Sequence, residues 1–128
     1  MRKLSYLCEQ LFEEMPKGVL LVNLGSPDSV EIKDIKRYLD EFLMDERVID
    51  YLIVHGIILR VRPKRTSVAY QKIWWEEGSP LIVITKRLVE KLSQRVQTPV
   101  AMAMRYGKPS IAQGLEELRA KGVTEVLL

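Results

Sequence analysis

Cysteine and histidine each occur once in this sequence, as Cys8 and His55. A lone cysteine allows no intramolecular disulfide, which fits a reducing compartment. A lone histidine has no second imidazole and no nearby thiol with which to share a metal, so His55 reads as a packed or surface side chain. No Ser–His or Cys–His pairing is evident from spacing either. Glycine is missing where a dinucleotide site needs it, because Gly25 has no second or third glycine at the required interval. Long apolar runs are absent too. The longest, Tyr51 to Val61, is broken by His55, Gly56 and Arg60, well short of the ~20 residues of a membrane-spanning helix. Arg2 and Lys3 precede an apolar stretch that Glu9 and Gln10 interrupt, and no small-residue cleavage site follows, so no secretory signal is expected. Neither sign of charge dominates: 20 Lys and Arg stand against 17 Asp and Glu, a net +3. That is too weak to imply a nucleic-acid partner. The expectation is a soluble, cytoplasmic protein.

What is present is the composition of one globular domain, 128 residues with 47% hydrophobic and 29% charged. A chain of this length buries roughly two thirds of its unfolded surface, enough for one core. Leu4, Leu7, Leu11 and Phe12 recur at helical spacing over Met1–Met15, and Pro16 ends that stretch. Residues 1–17 therefore read as a helical extension ahead of an α/β domain over 18–128. Gly18 to Asn23 is a continuous apolar run, the pattern of a parallel strand buried on both faces. Turn formers follow from Asn23 to Ser29. Ser29 or Asp28 then caps a helix over Val30–Met44, with Ile32, Ile35, Tyr38, Leu39 and Phe42 on one face. The apolar pattern resumes from Val48 to Val61 and stops at Pro63. Thr66 or Ser67 opens a further amphipathic stretch with Val68, Tyr70, Ile73 and Trp74, and another runs from Leu81 to Val96 with Ile84, Leu88 and Leu92 on one side. Pro99 to Met104 reads as a second parallel strand, Ser110 as the cap of a helix with Ile111, Leu115 and Leu118, and Gly122 as the residue that ends it. Thr124 to Leu128 is a third strand that stops while still apolar, which reads as a cut through a longer chain. Strands alternating with helices predict an open parallel α/β sheet with right-handed crossovers.

Open α/β sheets bind ligands beyond the carboxyl ends of their strands. Two such ends carry distinctive residues, Asn23 to Pro27 and Arg105–Tyr106. Gly25 lets a ligand approach the backbone, Arg105 offers a fork of donors and Tyr106 a flat ring with a polar tip. The alternative is that Gly25 and Pro27 only shape a turn and Arg105 only pairs with a carboxylate. Arg60, Arg62, Lys64 and Arg65 form a basic run, either a solvated helix surface or a grip for carboxylates or phosphates. Trp74 continues an apolar face, whereas Trp75 points elsewhere.

At these same residues the sequence resembles the ferrochelatase family. The likeness lies in Gly18-Val-Leu-Leu-Val-Asn-Leu-Gly-Ser-Pro27, in Ile35-Lys-Arg-Tyr-Leu-Asp-Glu-Phe-Leu-Met-Asp45, in Gly56-Ile-Ile-Leu59, in Tyr70 through Gly78-Ser79-Pro80-Leu81, and in Met102-Ala-Met-Arg105-Tyr106-Gly-Lys-Pro-Ser110. The five pieces stand in the family's order from Gly18 onward. The stretch from Asp50 to Gly56 departs from the pattern by being shorter, and residues 1–17 carry no matching motif.

The resemblance implies an enzyme that inserts ferrous iron into protoporphyrin IX to form protohaem, built from two Rossmann-like domains with the porphyrin cleft between them. This chain corresponds to the opening part of the first domain. Leu24 matches the loop residue that packs near the macrocycle, and Arg105 and Tyr106 match the Arg-Tyr pair on the cleft floor. Lys64, Arg65, Tyr70 and Ser79 match groups that hold the propionates or shape the pocket. Phe42, Leu43 and Met44 match the apolar lip of the cleft, which in membrane-associated members faces lipid. The family's metal-handling histidine and glutamate fall beyond these residues, so no catalytic or metal-ligating residue is assigned here and the piece alone is expected to be inactive. Fe²⁺ is a substrate and no bound cofactor is expected. The alternative is a non-catalytic module that binds porphyrin or nothing, and an unrelated anion-binding α/β protein ranks behind both.

Overall fold

The first strand, β1 (Lys17–Gly25), forms from the continuous apolar run, with Gly18 and Leu20 buried and Val22 to Leu24 exposed toward its end. The computed structural model describes residues 17–45, 47 and 52–128. The helix expected over Met1–Met15, the segment 48–51 and the side chain of His55 lie outside the described residues. Lys17, assigned above to the extension, is the first residue of β1. In chain order there follow α1 (Ile32–Leu43), α2 (Leu52–Ile73), α3 (Pro80–Arg95), β2 (Val100–Tyr106), α4 (Ile111–Ala120) and β3 (Glu125–Leu127).

The strands are parallel in the order β2-β1-β3. Val19 stands opposite Val100 and Gly25 opposite Tyr106, so β1 and β2 end together. Strand side chains alternate between faces, and the two faces bury different elements. On one, Leu20, Ala101 and Ala103 pack with Leu118 of α4 and Val123 in the sheet's main core. On the other, the Asn23 amide donates to the Thr85 hydroxyl of α3 at 3.3 Å. A second core lies between α1 and α2, where Ile35, Leu39 and Leu43 gather Phe42 and Tyr70. The Ser67 hydroxyl of α2 donates to the Val30 carbonyl and fixes that pairing. The architecture is an open parallel α/β sheet flanked by helices, a partial Rossmann-like domain.

Two local expectations need correction. Pro63 does not end a helix: α2 runs through it for 22 residues. An interior proline costs about 3 kcal/mol in an exposed helix, but Pro63 is buried and α2 is held against α1. Neither Ser29 nor Asp28 caps α1. Glu31 is the N-cap residue, and the Ser29 hydroxyl instead accepts from the Glu31 amide at 3.1 Å and donates to Asp34 at 2.6 Å. Ile32 consequently stays outside. Ile84 and Leu88 of α3 share one side, as expected; that side is exposed, and Val83 and Thr85 are the residues that α3 buries. Ser110, by contrast, caps α4 as expected, with Gln113 reciprocating.

Candidate functional site

Because β1 and β2 end side by side, the loops that follow them must share one end of the sheet, and they interlock. Gly25 has φ of +121°, and a Cβ there would fall 1.8 Å from the Tyr106 carbonyl oxygen. Gly107 has φ of +84°, and its Cβ would sit 2.9 Å from the Ser26 carbonyl. Only glycine combines this backbone with this closeness. Leu24 lies immediately before the interlock, half exposed, its amide donating to the Asn23 side chain at 2.8 Å. The Ser26 hydroxyl is buried with no hydrogen-bond partner among the described residues.

One stripe of α1 holds both loops. Tyr38, Glu41, Phe42 and Asp45 are spaced three and four apart, so they project to one side of the helix and its last turn. The Tyr38 hydroxyl donates to the Gly25 carbonyl at 3.2 Å, and Glu41 accepts from the Gly107 amide at 2.8 Å. The Phe42 ring meets the Tyr106 ring edge-on at 5.1 Å. Asp45 accepts from Arg105 at 2.9 Å and from the Tyr106 hydroxyl at 2.8 Å. Burial pushes the Tyr38 phenol up to about 12. The Arg105 guanidinium, then the Tyr106 hydroxyl and the Arg47 amide, hold the Asp45 carboxyl down at about 2. Arg105 is thus both ion-paired and open, its side chain 46% exposed, while the Tyr106 ring is buried beneath it.

Leu24, Arg105 and Tyr106 therefore meet at one end of the sheet. Ser79, buried at the N-cap of α3, lines a hollow of about 180 Å³ with Ser26, Pro27, Gly78 and Lys108, which Leu24, Arg105 and Tyr106 do not line. A second hollow, about 150 Å³, lies across Ser26–Asp28 against Tyr38 and Glu41. Neither reaches the roughly 300–1,000 Å³ of an enclosed small-molecule site. Lys64 and Arg65 are exposed on α2, with no described contact to the strand ends. Tyr70 is half-buried between the α1–α2 core and Trp74, whose ring it meets edge-on at 6.0 Å. Of the three lip residues Met44 is exposed, Phe42 is half-buried and Leu43 lies in the core. Arg60, Arg62, Lys64 and Arg65 all face outward and have no ion pair among the described residues. Among the described residues no cluster of His, Cys, Asp and Glu is poised to hold a metal, and no helix is long and apolar enough to cross a membrane.

The sequence reading overlooked Asp45 and Glu41. Asp45 was legible only as a break in an apolar pattern, and Glu41 as a polar position on a helix. The available signal was their spacing from Tyr38 and Phe42, which puts acids and aromatics on the same stripe.

A parallel sheet whose adjacent strand ends carry glycine turns, an arginine and a buried tyrosine defines an open α/β protein, a class in which ligands bind beyond the carboxyl ends of the strands. The ferrochelatase family model matches residues 16–128. This chain belongs to the ferrochelatase family. It is 50% identical over 121 residues to a ferrochelatase from Opitutus terrae, covering 88% of this chain and 35% of that protein. A ferrochelatase from Vibrio atlanticus is 44% identical over 118 residues, covering 88% and 37%, and one from Stutzerimonas stutzeri is 46% identical over 119 residues, covering 88% and 35%. The chain spans about a third of the length of these curated relatives.

Proposed function

We propose that this chain supplies the porphyrin-facing wall of a ferrochelatase, an enzyme of haem synthesis that inserts Fe²⁺ into protoporphyrin IX. The observation that carries the reading is the convergence of Leu24, Arg105 and Tyr106 at one open end of the sheet, in a chain that belongs to this family. Insertion exchanges two pyrrole protons for one Fe²⁺, delivered to a macrocycle bent away from planarity. Bending draws on binding energy from the edges and faces of the ring, far from the four nitrogens. Leu24 supplies an apolar wall, Arg105 keeps donors free on its exposed side, and the buried Tyr106 ring backs Arg105 from beneath. Ser79, Lys64, Arg65 and Tyr70 are the candidates for the propionates, and Phe42 and Met44 for the rim of the cleft; Leu43, which the resemblance also puts there, is buried in the α1–α2 core instead. Removing the pyrrole protons calls for a base titrating near neutrality, usually a histidine. The family resemblance puts that histidine, and a glutamate that works with it, outside these 128 residues.

The test is anaerobic incubation of the gene product at its natural length with Fe²⁺ and protoporphyrin IX, following protohaem by absorbance. Turnover above the protein-free rate is expected from that product and none from the piece ending at Leu128. A natural-length product that neither turns over nor binds protoporphyrin refutes the reading.

A further inference from the structure

The strand-end site contains a carboxylate that faces protein donors and leaves no obvious place for a ligand. Asp45 follows the C-cap of α1, its side chain 13% exposed. It bridges α1 to the end of β2, some 60 residues away in sequence. One oxygen accepts from both Arg105, at 2.9 Å, and the Tyr106 hydroxyl, at 2.8 Å; the other accepts from the Arg47 amide at 3.0 Å. A phenol has one proton to give and a guanidinium has five N–H donors in a rigid fork. With its proton committed to Asp45, the Tyr106 oxygen retains only lone pairs. With one N–H committed, Arg105 retains donors alone. The nearest other acid of α1, Glu41, is engaged by the Gly107 amide and does not compete for either group.

We propose that Asp45 is a positioning residue of the strand-end site, setting Tyr106 as an acceptor and Arg105 as a donor toward whatever ligand lies there. Resting on the porphyrin reading above, this requires the bound tetrapyrrole, or a water it carries, to present a donor to Tyr106 and a carboxylate or other lone pair to Arg105. Asp45 also ties the rim to the floor. It follows Phe42 and Met44 in the chain, and the Phe42 ring rests on Tyr106, so rim and floor move as one piece. The carboxylate stays ionised throughout the neutral range, since its donors hold it near 2, and the polarity of the pair does not vary with pH there.

The experiment compares Asp45→Asn, Tyr106→Phe and the double variant in the natural-length protein. Protoporphyrin IX is the probe, titrated by fluorescence, with melting temperature recorded in parallel. The amide of Asp45→Asn has the same shape but can donate to the phenol oxygen, which reverses the polarity of Tyr106. Each single variant is expected to weaken porphyrin binding about tenfold, equivalent to 1.4 kcal/mol, and the double variant no more than either single one. Losses that multiply, or an Asp45→Asn protein that binds as the parent does while melting lower, overturn the inference. A second readout does not depend on porphyrin. Side-chain ¹⁵N resonances of Arg105 should show hindered guanidinium rotation in the parent and lose it in Asp45→Asn. If the parent binds no porphyrin, the functional reading fails, and a freely rotating Arg105 in the parent then overturns the positioning role as well.

Discussion

Gly25→Ala should be the most damaging single-methyl substitution at the strand ends, and a built-in control separates its two causes. Gly25 and Gly78 have nearly equal backbone angles, φ of +121° and +119°. A Cβ at Gly78 meets nothing within 4 Å, whereas at Gly25 it lies 1.8 Å from the Tyr106 carbonyl oxygen. Gly78→Ala therefore measures backbone strain alone, about 1–3 kcal/mol for a region that side chains avoid. Gly25→Ala adds a contact with main chain that cannot rotate away. Relieving it to an ordinary carbon–oxygen separation of roughly 3.3 Å or more moves the end of β1 away from β2, with an overpacking cost of about 1–3 kcal/mol. The sum, about 2–6 kcal/mol, is a large part of the total 5–15 kcal/mol of a typical domain. Urea unfolding of both variants gives the comparison directly. The Gly25 variant should lose at least about 1 kcal/mol more than the Gly78 variant, on the same overpacking scale. Equal losses would show that the interlock of the two loops is loose, and that Tyr106 is not held by β1.

Ser110→Ala removes a reciprocal cap in which the Gln113 amide donates to the serine hydroxyl at 3.2 Å and the Ser110 amide donates to the Gln113 side chain at 2.8 Å; a loss of about 1 kcal/mol in chemical denaturation is expected, and an unchanged midpoint would show that α4 is held by packing alone. Tyr38 keeps its proton up to about 12 when folded but ionises near its ordinary value of 10.0 when unfolded. The unfolded state thus releases a proton first, and stability should fall as pH rises from 10 toward 12. Tyr38→Phe should flatten that alkaline decline, and a parallel decline in both proteins would place the phenol in solvent. Asp45 shows the opposite sign: its carboxyl is lowered from 3.8 to about 2, so its stabilisation is present above about pH 4 and disappears as pH falls through 2. Acid titration of the melting temperature in the parent and in Asp45→Asn should converge at low pH, and a constant gap would contradict the pairing.

The strands were readable because a doubly covered parallel strand must be apolar at successive positions, as Gly18–Asn23 and Val100–Met104 are. The cap at Ser110 was readable because its chemistry is local. The errors came where tertiary packing outweighs a local preference. Pro63 carries a strong breaking signal, yet its ring is buried and α2 continues past it. The sequence puts Ile84 and Leu88 on one side of α3 without showing which side is buried; α3 turns Val83 and Thr85 inward, with the Thr85 hydroxyl satisfied by the Leu81 carbonyl at 2.7 Å. A threonine that bonds its own helix behaves as a core residue, and hydropathy alone scores it as polar.

The site divides along the same line. Gly25, Arg105 and Tyr106 could be found in the sequence because strand ends are where open α/β sheets bind ligands. The α1 stripe could not be found by hydropathy, because its four members differ in kind: two aromatics, Tyr38 and Phe42, and two acids, Glu41 and Asp45. What unites them is the target each reaches, a glycine carbonyl, a ring, a glycine amide, and an arginine with its tyrosine. Those targets lie on two strands that enter the sheet far apart in sequence. The loops are drawn together by glycines too close for any Cβ, and one helix then fixes both. One helix, legible in the sequence only as a scaffold, thus holds Arg105, Tyr106 and Gly107 through Asp45 and Glu41, so changes to α1 should alter the arrangement of the strand ends while leaving the strands intact.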